Sequence, residues 1–171
     1  AVKIKDRQII DRYSTFIDPE EKLTDEIVGL TNITDKMLEG QRKIDEVLPE
    51  FLDFVGGAVL VGHNASFYTG FVRIKADELG LNYRHNTILD TLELSRTLLK
   101  DLKKHKLDVV AKRLGVSLEG HHRAVNDAEA TAEIFLKLME MLEENDVKNI
   151  NDVNIFASRT VNYNKLKSYH T

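Results

Sequence analysis

The run AVLVG at 58–62 constrains the fold more than any other stretch. It is short, continuous and apolar, which reads as a strand covered on both faces. Gly56-Gly57 precede it and close a helical pattern over 44–57, where Val47, Leu48, Phe51, Leu52 and Val55 share one side. Pro49 falls near the first turn of that helix, where a missing N–H costs little. A second helix is expected at about 66–79, ended by Gly80. A buried strand set between helices points to a layered α/β fold.

The flanking segments extend that reading. VKIK (2–5), a polar turn at Asp6-Arg7-Gln8 and IIDRYSTFI (9–17) form a β-hairpin, since both arms are β-branched or aromatic. TDEIVGL (24–30) and TDKMLEG (34–40) are short helical pieces, each opened by a Thr suited to an N-cap. TILD (87–90) is a short strand and TLELSRTLLK (91–100) the helix after it. LDVVAKRLG (107–115) is amphipathic, with Leu107, Val110, Ala111 and Leu114 on one face. The longest helix runs from about Ala124 to Glu144 on a stripe of Ala130, Ile134, Phe135, Leu138 and Leu142. From 145 the chain is Asn-rich without clear periodicity. Residues 1–144 therefore read as one domain with a mixed sheet, and 145–171 as a linker.

Apolar residues make up 42% of the 171 and charged residues 30%, as in a folded globular protein. No apolar run approaches the roughly 18–20 residues of a membrane span, and AVKIKDRQII lacks the apolar core of a signal peptide. The absence of cysteine excludes disulfides and thiolate metal sites, and a reducing cytoplasm is the expected location. A net charge of −4 argues against a general nucleic-acid coat. The charge is uneven. Residues 18–53 are mostly acidic, whereas 96–113 carry Arg96, Lys100, Lys103, Lys104, Lys106, Lys112 and Arg113 against Asp101 and Asp108. Such a segment is either a solvated face or a flank that meets phosphates.

Two stretches carry candidate chemistry. HNASFYTGF (63–71) lies where a strand ends and a helix begins, the place where open α/β sheets put ligands. Asn64 or Ser66 also suits a plain helix cap. In GHHRAVNDAEAT (120–131), His122 precedes the long helix and Asp127 lies in its first part. That pair suits a general base beside a metal-holding carboxylate. It equally suits a cap and a dipole-complementing acid.

Taken in order, HNASF, ILDTLELSR (88–96) and HHRAVNDAEAT closely resemble the DnaQ-like (DEDDh) 3′-5′ exonucleases. The nearest resemblance is to the exonuclease domain of PolC-type DNA polymerase III alpha subunits. AVKIKDRQIIDRY, LTNITDKML, EVLPEF and NYNKLKSYHT extend it over essentially the whole chain. The resemblance implies a ribonuclease-H-like fold, a mixed sheet flanked by helices. It implies removal of nucleotides from a single-stranded DNA 3′ end, in the company of the remaining polymerase chain and replisome. Two Mg²⁺ or Mn²⁺ ions, about 3.5–4 Å apart, would clamp the attacking water and the leaving oxygen. Asp127 would hold metal, His122 would act as general base, and His63, Asn64, Ser66 and Phe67 would meet substrate. Asp90 would orient local backbone from behind the site.

Two departures from the family pattern stand out. The family's D-x-E motif and its strand would precede Ala1, so the chain reads as an N-terminally truncated piece with its first strand missing. The sheet is then expected to be split. The second departure is Tyr68, which occupies the position of a metal-binding Asp. A phenol is neutral at pH 7 and a poor ligand for hard dications. The chain is therefore expected not to bind the metal pair and not to cut DNA. The alternative function is a degenerate, non-catalytic module that holds single-stranded DNA or braces the polymerase. A third reading keeps the enzyme and exchanges DNA for RNA ends.

Overall fold

In the computed structural model, residues 1–83, 86–118, 123–147, 149 and 151–155 are described. The chain opens with a hairpin of β1 (Val2–Lys5) and β2 (Gln8–Arg12). Asp6 and Arg7 both have positive φ, which makes the connection a two-residue turn with the twist of its strands. The register shifts between Lys3 and Ile4, leaving Ile10 as the extra residue of a bulge. The second arm is shorter than its composition predicts. Tyr13 still pairs with Ala1 by two bonds of 2.9 Å. Residues 14–17 then leave the ladder, and the Asp18 amide bonds to the Arg42 carbonyl instead.

Three helices follow: α1 (Asp25–Thr31), α2 (Asp35–Leu38) and α3 (Ile44–Val55). Thr24 caps α1 by accepting from the Ile27 amide, whereas Thr34 makes no such bond at α2. Pro49 sits sixth in α3 rather than in its first turn, and a proline there removes an i→i−4 bond. Val47, Leu48 and Val55 are buried. The hairpin docks on α3 through Tyr13, whose ring lies 5.6 Å from that of Phe51 and 5.5 Å from that of Phe54.

The second half holds β3 (Leu60–Gly62), α4 (Ala65–Glu78), β4 (Ile88–Asp90), α5 (Thr91–Leu98), α6 (Leu107–Leu114) and α7 (Ala124–Glu143). β3 and β4 run parallel, with Leu60 opposite Ile88 and Gly62 opposite Asp90. The strand expected to be covered on both faces is only half-buried, and Ala58 and Val59 before it are exposed. Among the described residues it has a ladder neighbour on one side alone. Among the described residues the hairpin and the β3–β4 pair form separate sheets.

The core sits where α5, α6 and α7 meet β4. Leu89, Leu94, Leu99, Val110, Ile134, Leu138 and Leu142 are all buried there. Val147 and Val153, beyond the end of α7, belong to the same cluster. Fully burying each such side chain stabilises the fold by about 1.5–3 kcal/mol. Arg12 bridges to Glu129 at 2.5 Å and Arg7 to Glu143 at 2.6 Å, tying the hairpin along α7.

Candidate active site

The end of β3 and the starts of α4 and α5 form one hydrogen-bonded node. A Cβ at Gly62 would lie 3.0 Å from the Ala65 Cα, so any larger residue needs the start of α4 to give by a few tenths of an ångström. That close approach brings the first turn of α4 against the strand. Asn64 occupies the N-cap in left-handed conformation (φ 69°), which Asn tolerates, but its side chain makes no capping bond. Ser66 lies inside the helix, exposed. The cap comes from Asp90 instead. Its carboxylate accepts from the Asn64 amide (3.0 Å), the Ala65 amide (2.9 Å) and the Leu92 amide (2.9 Å). One side chain at the end of β4 thus satisfies orphan donors of two helices.

His63 is held from both sides. Its Nε2 lies 2.8 Å from the His105 carbonyl, which can only accept, so the proton is on Nε2. Nδ1 then accepts from the Thr91 hydroxyl at 3.0 Å. The Gly62 carbonyl, 3.3 Å from the same hydroxyl, shares that one proton in a longer, bifurcated contact. Burial lowers the His63 pKa below its ordinary value, with the Asp90 charge opposing the shift. The imidazole is a neutral cross-link between β3, α5 and the turn before α6. Thr91 and His105 are the residues that sequence reasoning missed. They lie 28 and 42 positions from His63, so no local pattern announces them.

Phe67 and Tyr68 stand at the start of α4, 69% and 58% exposed. Their rings meet edge to face with centroids 5.3 Å apart. Phe71 and Ile74 on the same helix are also exposed. A cavity of about 230 Å³ lies between α4, the hairpin, α3 and the start of α7, lined by Tyr13, Val47, Phe51, Phe71, Val72 and Val125 among others. Phe67, Tyr68 and Asp127 do not line it.

Asp127 is half-buried in the first turn of α7, its amide donating to the Arg123 carbonyl at 3.1 Å. Glu129 on the same helix is engaged by Arg12. His121 and His122 lie outside the described residues. Among the described residues no three His, Asp or Glu side chains converge in a group able to hold a metal ion. Of the positions expected to hold metal, Asp127 offers a carboxylate and Tyr68 a phenol. No helix among them is long and apolar enough to cross a membrane.

Comparison with known proteins supplies the frame for these residues. Residues 1–135 match the model of a family described as Exonuclease (RNase_T). Over 99% of its length the chain is 48% identical to the PolC-type DNA polymerase III of Caldanaerobacter subterraneus subsp. tengcongensis, spanning 12% of that protein. The corresponding protein of Clostridium perfringens is 51% identical over 89% of the chain, which spans 11% of it. Among solved structures, exonuclease X in complex with 5′ overhanging duplex DNA matches with a TM-score of 0.70 at 21% identity, over 91% of this chain and 87% of that one. The nuclease domain of 3′hExo, a DEDDh family member bound to rAMP, matches with a TM-score of 0.64 at 20% identity, over 78% and 74%. The fold is that of these ribonuclease-H-like nucleases, and with a family model matched across most of its length, the chain belongs to the Exonuclease family.

Proposed function

We propose that this chain is the exonuclease-fold domain of a PolC-type replicative DNA polymerase, that it receives single-stranded DNA 3′ ends, and that in its present sequence it does not hydrolyse them. The domain is taken to extend beyond Val153 rather than to stop at Glu144, since Val147 and Val153 pack in its core. The remaining polymerase chain and the replisome are its partners in this reading.

Tyr68 carries the argument. A carboxylate at that position would bring negative charge to a pair of Mg²⁺ or Mn²⁺ ions, and two adjacent dications need several such charges. Tyr68 offers a phenol, exposed and packed edge-on against Phe67. No hydrolytic step is therefore assigned. General base for His122 and metal ligand for Asp127 are the roles the family pattern implies, and no step is routed through either here. The exposed Phe67–Tyr68 pair favours the non-cutting module, because aromatic faces stack on unpaired bases whatever their sequence.

The test is Mg²⁺-dependent shortening of a 5′-labelled single strand from its 3′ end by the purified chain. No shortening is expected. Robust cutting that is abolished by His122→Ala would overturn the proposal. An RNA end trimmed in preference to a DNA end would favour the RNA reading instead.

A further inference from the structure

The turn between α5 and α6 reads KDLKKHK (100–106) and gathers four lysines within seven residues. Among the described residues, Arg7, Arg12, Arg42, Lys43, Lys75, Arg96 and Arg113 all sit in ion pairs. No ion pair among them involves Lys100, Lys103, Lys104 or Lys106, and all four are exposed. The one carboxylate in the turn, Asp101, is neutralised by Arg113 at 2.8 Å. A chain with a net charge of −4 thus concentrates uncompensated positive charge on one short turn.

The position of that turn is fixed. His63 donates to the carbonyl of His105, between Lys104 and Lys106, at 2.8 Å. His105 Nε2 lies 3.2 Å from the Leu99 carbonyl, which closes the turn on itself. Leu99, at its start, is buried in the core. The backbone of the lysine turn is therefore pinned to the end of β3, four residues before Phe67 opens its aromatic face on α4. Cations on a turn pinned to the residue before α4, together with aromatic rings exposed along that helix, match what a single strand presents, phosphates along one edge and bases along the other.

We propose that Lys100, Lys103, Lys104 and Lys106 form a phosphate-binding surface for single-stranded nucleic acid, held at the mouth of the candidate site by the His63–His105 bond. This rests on the nucleic-acid reading above and adds to it the surface that supplies the affinity. The bound strand releases counterions from each phosphate it gives to a lysine, so affinity falls with salt in proportion to the number of contacts.

The experiment is the salt dependence of binding, by anisotropy of a labelled single-stranded oligothymidylate without divalent metal. Three proteins are compared: the full chain, a variant with all four turn lysines changed to Gln, and a variant with Lys5, Lys22, Lys36 and Lys137 changed to Gln. The last two lose the same charge. The turn variant is expected to lower the slope of log affinity against log salt by about 2–3, at about 0.7 per lost phosphate contact. It is expected to bind at least tenfold more weakly at low salt, while the control stays near the parent. Circular dichroism checks that all three are folded. A slope unchanged by the turn variant, or lowered equally by the control, overturns the proposal and leaves the nucleic-acid reading standing. Absence of binding by the parent chain at low salt overturns both.

Discussion

The carboxylate of Asp90 satisfies three backbone N–H groups, and Asp90→Ala would leave them to be solvated where the node allows. The expected loss is about 2–3 kcal/mol, read from urea denaturation. Asp90→Asn, which keeps one acceptor oxygen, is expected to lose less. Gly62→Ala forces the start of α4 away from β3, because the new Cβ meets the Ala65 backbone at 3.0 Å. About 1–3 kcal/mol is the expected cost, again by denaturation. His63 adds a pH dependence. Burial lowers its pKa in the folded state, so between that value and the ordinary 6.5 the unfolded chain binds more protons than the folded one. Stability contributed by the neutral imidazole is full above pH 6.5 and falls as the pH drops below it. Urea midpoints followed from about pH 8 to about pH 5 should show that fall, and His63→Ala should remove it from this window.

At the scale of elements, the helices were legible and the strands less so. α5, α6 and α7 lie within about two residues of their expected bounds, because a helical stripe and a glycine such as Gly115 mark them locally. β2 stops at Arg12 although Thr15 and Ile17 have strand-forming side chains, since pairing past Tyr13 requires residues opposite that only tertiary structure provides. AVLVG looked buried on both faces from its composition, yet exposure depends on ladder neighbours that composition does not reveal. The Asn-rich stretch after α7 hid two core residues, since Val147 and Val153 are isolated apolar positions without a period. Ending the chain at Glu144 is therefore expected to lower stability by about 2–4 kcal/mol, whereas removing the hairpin's surface bridge with Arg12→Ala should cost less than about 1 kcal/mol. Thermal or urea melts of the two variants separate the outcomes.

For the whole molecule, the order HNASF, ILDTLELSR, HHRAVNDAEAT was enough to name the family, and a family model covering residues 1–135 agrees. How the site residues are employed was less legible. His63 and Asn64 sit in the motif, yet His63 spends both ring nitrogens on Thr91 and His105, and Asn64 leaves capping to Asp90. Those partners are distant in sequence. Tyr68 was legible as a departure because residue type alone decides whether a ligand can carry charge. The molecule that results keeps the nuclease fold, exposes an aromatic pair and pins a lysine turn to His63.

Binding without cutting is followed in one measurement. A single strand labelled at its 5′ end is mixed with the chain at low salt, Mg²⁺ is then added, and anisotropy and strand length are recorded together over hours. The expected result is a rise in anisotropy on mixing with the strand keeping its full length after Mg²⁺. Progressive shortening from the 3′ end, or no rise at all, would contradict it.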